Sequence, residues 1–290
     1  MITNFNLSEV VSIGITTKNR WRDLQVTLNK IVDAGLTSLP IFIIDDNSDQ
    51  SCPFDLAKYS LKIELQRFGE SQGLIVRRNQ LAYMIRTKYY LSLDDDSFPM
   101  SGSLQAAIDF AETREDLFCL SFPIYNPILG IHQNKSLQVV PYQVRFFVGC
   151  GHLIKLEHFY LLGGYCEELV HQGEEQELAA RAFQTGLHCY HFPGYTIHHL
   201  VSAAGRNWHR MDYYGSRNMV LWNDWFVPRQ QKLVKQSRTL ISRFFHTVRV
   251  RRLGLLKGEI AGLRDIAHFK SNRNEMSPQL YKQWCSLPEY

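Results

Sequence analysis

No stretch of this sequence holds the roughly 18 to 20 consecutive apolar residues that a membrane-spanning helix needs. The 290-residue chain is therefore not expected to cross a bilayer. Its start, MITNFNLSEV, lacks the basic-then-apolar order of a secretory leader. Both absences make the cytoplasm the expected location. Cysteine is sparse and scattered: Cys52, Cys119, Cys150, Cys166, Cys189 and Cys285 form no C-x-x-C pair. That excludes a disulfide framework and leaves reduced thiols acting as small hydrophobes. Internal repeats and low-complexity linkers are missing too. Acidic residues almost vanish from one segment, residues 229–273, which holds twelve Lys or Arg against Glu259 and Asp265 alone. The remainder then carries 20 bases and 26 acids out of totals of 32 and 28, a net of −6. An acidic body with a basic tail calls for an anionic partner. Apolar residues at helical spacing in the tail, and no nucleic-acid motif, favour an anionic membrane surface and leave nucleic acid unexpected.

What the chain has is an ordinary globular composition, 45% hydrophobic and 21% charged, enough for one large α/β domain or two small ones. Apolar runs predict strands at Val10–Ile15, Ile41–Ile44, Tyr89–Leu93, Leu117–Phe122, Phe146–Gly149 and His188–Phe192. Alternation predicts a less buried strand at Lys62–Gln66. Helical spacing covers Trp21–Ala34, Leu74–Arg86 and Glu174–Thr185, and resumes from about Lys232. This β-α-β-α rhythm predicts a mostly parallel sheet flanked by helices. Strand ends in such a sheet gather ligands, and three of them here are polar: Thr16–Arg20, Asp45–Ser48 and Asp94–Ser97.

Three consecutive carboxylates, Asp94, Asp95 and Asp96, repel one another unless a cation or hydrogen-bond donors compensate. Hard oxygen ligands of this kind suit Mg²⁺ or Mn²⁺, which also bind diphosphates. The plainer alternative is a solvated acidic turn capping the next helix. Glu174, Glu175 and Glu177 follow Gly173; they either complement a helix dipole or crowd one carboxylate into a general base. One of His198 and His199 offers a third ligand for Mn²⁺, against the commoner fate of a core histidine. Arg78 offers a guanidinium to phosphate, against ordinary solvation.

In this order the segments VSIGITTKNR, FIIDDNSD, GLIVRRNQLA, LSLDDDS, FVGCGHLIK, LLGGYCEELV and GEEQELAARAFQTG, with the histidine pair, resemble the family 2 inverting glycosyltransferases of GT-A fold. YYGSRNMVLW and the basic tail look like the rhamnosyltransferase-like branch that builds bacterial surface polysaccharides. The resemblance implies that Thr16, Thr17, Asn19 and Asp46 hold the nucleoside, and that Arg78 faces the donor. Asp94 or Asp95 would meet ribose or sugar, and Asp96 would bind the metal directly, with Asp94 in reserve. It implies a base at Glu175, with Glu174 its rival, and a metal-side histidine at His198, with His199 its rival. Cys166 stands where the family commonly has an acid. The expected partners are a UDP- or dTDP-sugar, a glycan or lipid-linked acceptor, and the inner face of the plasma membrane, with oligomers possible. The expected division is a catalytic domain over 1–230 and a basic helical extension over 231–290. A sugar-nucleotide nucleotidyltransferase is disfavoured because the Thr16–Arg20 loop has no glycine run. A non-catalytic nucleotide-sugar binder is disfavoured by the intact acids.

Overall fold

The run VSIGITT forms β1 (Val11–Thr17), buried at every position, because a parallel strand covered on both faces needs small or apolar side chains throughout. A computed structural model describes residues 6–201 and 207–289. In it, β1 lies between β2 (Pro40–Asp45) and β4 (Tyr89–Asp94), parallel to both. β3 (Lys62–Arg67) extends β2 in parallel, and its alternating exposure fits the alternation of its sequence. With β6 (Leu117–Ser121), β9 (Tyr142–Val144), β10 (Gly151–Lys155) and β11 (His188–His191) the sheet has eight strands, ordered β3-β2-β1-β4-β10-β6-β11-β9. β10 runs against both β4 and β6, so the sheet is mixed. A smaller sheet orders β5 (Ser97–Gly102), β12 (Tyr195–His199), β7 (Ile124–Asn126) and β8 (Ile131–Asn134).

Helices cover both faces of the large sheet. After the short α1 (Leu7–Val10), α2 (Trp21–Asp33) buries Trp21, Leu24, Leu28 and Ile31 in one core, which α4 (Leu104–Glu112) shares. The opposite core receives α3 (Leu74–Met84), α5 (Leu156–Leu161), α6 (Glu174–Gln184) and α7 (Trp208–Phe226). Two expectations fail. Phe146–Gly149 is a loop, and the strand starts at Gly151; the Gly149 carbonyl accepts from Arg78 at 2.9 Å instead of joining a ladder. The aspartates cap no helix: the chain enters β5, and α4 waits for its own N-cap, Ser103.

The tail is several elements. α8 (Arg229–Val250) ends where Arg251 turns left-handed at φ 54°, and α9 (Leu253–Asp265) folds back beside it. α10 (Pro278–Ser286) then returns to the main core, with Trp284 centred 5.4 Å from Phe183. A glycine stripe joins α9 to α7. A Cβ on Gly258 would lie 2.1 Å from the Tyr213 carbonyl oxygen, and one on Gly262 would lie 2.7 Å from the Val220 Cβ. Alanine normally gains about 1 kcal/mol over glycine in a helix, but overpacking costs about 1–3 kcal/mol. Gly258→Ala should thus lower the melting temperature. Gly215→Ala on α7, where a Cβ meets nothing within 4 Å, should raise it. Differential scanning calorimetry of the two variants checks the packing; equal shifts would contradict it.

Candidate active site

Because β1, β2 and β4 are parallel, their carboxyl ends share one edge. Asn19 and Asn47 turn the first two loops with φ of 56° and 64°, a left-handed conformation that asparagine tolerates better than most residues. The Asn19 amide N–H donates to Ser48 Oγ at 2.7 Å, and its side chain exchanges two bonds with Asp49, clipping the loops together. Asp46 accepts from Ser71 Oγ, the Gln72 and Gly73 amides, and Arg77 Nε at 2.6 Å. Against the upward push of burial, these bonds hold it below the usual carboxylate range. It anchors residues 71–73 as one wall of the cleft.

Asp95 and Asp96 are buried, which rules out a solvated acidic turn. Arg20 reaches both, at 3.1 Å to Asp95 and 2.6 Å to Asp96, and the Thr17 hydroxyl donates to Asp95 at 2.8 Å. Burial, with the charge of Asp96, pushes Asp95 up to about 8 although Arg20 and Thr17 oppose it. Nothing local in the sequence marks Arg20. Its meaning shows only once β1 and β4 lie side by side.

Arg78 leaves α3 into the interior, with its side chain 3% exposed. It donates to Asp94 at 2.8 Å, Glu175 at 3.1 Å, Glu174 at 3.3 Å and the Gly149 carbonyl. A guanidinium so engaged is a strut between three acids, and it lines the cleft as well. Among the described residues, exposed positive charge on the cleft wall comes from Lys18 and Arg210. The adjacent glutamates separate by exposure: Glu174 is buried and Glu175 keeps 18% of its side chain open. Burial and the charge of Glu175 push Glu174 up to about 8 against the pull of Arg78.

The histidine assignment changes. Successive residues of a strand face opposite sides, so β12 sends only one of the pair inward. His198 packs its ring 5.4 Å from Tyr125 and 6.0 Å from Phe98. His199 Nε2 lies 3.2 Å from Asp96 Oδ1, and its Nδ1 donates to Gln133 Oε1 at 2.8 Å. That second bond fixes the ring so that Nε2 faces the acids. Gln133, on β8, carried no local signal in the sequence.

Asp94, Asp96 and His199 offer ligand atoms within 4.8 Å of one another. Among the described residues, Arg20 and Arg78 pair with Asp94, Asp95, Asp96, Glu174 and Glu175. His199 adds a positive charge: burial opposes it, but Cys150, Asp96 and Asp94 outweigh burial and raise it to about 11. Two carboxylates and an imidazole suit Mn²⁺ or Mg²⁺. The cleft around them measures about 1240 Å³.

Comparison with known proteins places the family and the fold. Residues 12–159, more than half of the chain, match the family model of glycosyl transferase family 2. The chain belongs to that family. Its fold is GT-A-like. It superposes on GalNAc-T7 bound to UDP, GalNAc and Mn²⁺ with a TM-score of 0.61 at 15% identity, over 98% of this chain and 56% of that one. With S. aureus TarS 1–349 in complex with UDP-GlcNAc the TM-score is 0.59 at 16% identity, over 91% and 82% of the two chains. The mannosyltransferase PcManGT from Pyrobaculum calidifontis, with GDP-Man and Mn²⁺, gives 0.57 at 14% identity, over 95% and 78%. The chain thus spans about half the length of GalNAc-T7. No curated protein matches it.

Within this family 2 cleft, His199 and not His198 should govern metal affinity. Removing one of three ligands by His199→Ala should weaken Mn²⁺ binding at least about tenfold, whereas His198→Ala should leave it within about twofold of wild type. Isothermal titration with Mn²⁺ separates them; equal losses would contradict the assignment.

Proposed function

We propose that this family 2 member is an inverting glycosyltransferase that moves a sugar from a nucleoside diphosphate donor to an acceptor hydroxyl. One observation carries this: the Asp94, Asp96 and His199 cluster shares its cleft with the half-open Glu175, and Arg78 links the two sides. A site for one drug-sized ligand takes about 300–1,000 Å³, so a cleft of about 1240 Å³ leaves room for donor and acceptor together. Thr16, Thr17, Asn19 and Asp46, at the ends of β1 and β2, line the nucleoside side.

Asp94, Asp96 and His199 would hold Mn²⁺ or Mg²⁺, which stabilises negative charge developing on a diphosphate leaving group. The protein's own part is positional and acid–base. Arg78 fixes Glu175 against Asp94 and the Gly149 carbonyl. A Cβ on residue 149 would come 2.0 Å from Glu175 Oε1, so only glycine lets this contact form. Glu175 takes the acceptor proton as the acceptor oxygen attacks the anomeric carbon from the face opposite the diphosphate, and a single displacement inverts that centre. Glu174, buried and with its pKa raised by burial and by the charge of Glu175, supports the strut and does not exchange protons with substrate. The basic tail and the resemblance to surface-polysaccharide enzymes favour a UDP- or dTDP-sugar donor and a glycan or lipid-linked acceptor.

Glu175→Gln preserves shape but cannot take a proton, so turnover should fall by about 10² to 10⁴ with donor affinity nearly unchanged. Glu174→Gln replaces a buried carboxyl whose pKa burial and the charge of Glu175 raise, and should keep turnover within about threefold of wild type. Steady-state kinetics with donor calorimetry checks the pair. The reverse pattern would make Glu174 the base, and no loss in either would remove the base from this helix.

A further inference from the structure

α9 has two unlike faces. Gly254, Gly258 and Gly262 recur every four residues against α7, and Leu256, Ile260 and Leu263 fall on the other side. That side and the end of α8 line an apolar groove of about 560 Å³. Among the described residues nothing covers it: Ile241, Phe244 and Phe245 on its α8 wall are 57%, 51% and 67% exposed. Glu259 also lines the groove, and its Oε1 is buried without a hydrogen-bond partner. Exposed bases surround this apolar face on the same two helices, among them Arg238, Arg249, Arg251, Lys257 and Arg264. Of the hairpin's two acids, Glu259 is buried in the groove wall and Asp265 is bound to Arg217 at 2.6 Å.

We infer that the α8–α9 hairpin is a docking surface for an anionic lipid bilayer, its groove taking acyl chains while its bases meet lipid phosphates. Charge chooses this occupant over a second copy of the chain. A two-fold contact would set the bases of one hairpin against those of the other with no exposed acid to answer them. Docking is interfacial, since no described helix is long and apolar enough to cross a membrane. The fold ties this surface to the cleft. The first turn of α7 contributes Arg210 and Met211 to the cleft wall, and the glycine stripe presses α9 onto the same helix. Docking therefore sets the cleft beside the bilayer surface, within reach of a lipid-linked acceptor. The surface itself does not depend on the chemistry assigned to Glu175.

Co-sedimentation of the whole chain with vesicles of phosphatidylcholine, with and without phosphatidylglycerol, tests this. Binding should require phosphatidylglycerol and weaken with salt. The triple variant Arg249→Glu, Arg251→Glu and Lys257→Glu should bind at least tenfold more weakly, given about fivefold per base at an anionic surface. Phe245→Ser, at an exposed position, should also weaken binding with the melting temperature unchanged. Nucleoside diphosphate binding, read by calorimetry, should persist in these variants, so a failure of docking is distinguishable from a failure of the transferase reading. Equal binding to neutral vesicles, no binding to either, or a dimer in light scattering that Phe245→Ser abolishes would overturn the proposal.

Discussion

A buried guanidinium organises this site. Arg78 draws Asp94 from the end of β4, Glu174 and Glu175 from the first turn of α6, and the Gly149 carbonyl from the loop before β10 onto one cation. Removing one partner of such a buried arrangement costs about 3–5 kcal/mol, because the remaining charges lose compensation. The backbone around it is cut to fit: Gly149 has no side chain because one would collide with both Arg78 and Glu175. The Asp94 side and the Glu175 side of the cleft therefore share one structural part, Arg78.

The rest of the cleft follows from strand direction. Three parallel strands deliver their polar ends to one edge, where the acids gather beside Arg20 and Arg78. Burial pushes Asp95 and Glu174 up to about 8, and His199 rises to about 11 against burial through Cys150 and Asp96. A divalent cation bound there would present positive charge to a diphosphate.

Much of this was legible in the sequence where the signal was local. The continuous apolar run of β1, the alternation of β3 and the acids closing β2 and β4 place the sheet and its reactive edge without reference to distant contacts. The choice between Glu174 and Glu175 was not local, since both sit in one helical turn and only the surrounding core decides which is open. The choice within the histidine pair was not local for a similar reason. A strand exposes its residues to alternate sides, but which side faces the aspartates depends on β5 and β7 pairing with β12. Gln133 and Arg20 owe their roles to partners 66 and 76 residues away. The glycine stripe of α9 was present in the letters, yet α7, the helix it packs on, was not foreseen.

A cleft so arranged makes one claim above the others, that its strand-end acids and His199 form the cation site for a nucleoside diphosphate. Anomalous diffraction from crystals soaked with Mn²⁺ and a nucleoside diphosphate tests it most directly. One strong manganese peak bounded by Asp94, Asp96 and His199 is expected, with the diphosphate beside it in the same cleft. A peak lodged elsewhere, or a diphosphate bound there with no manganese, would contradict it.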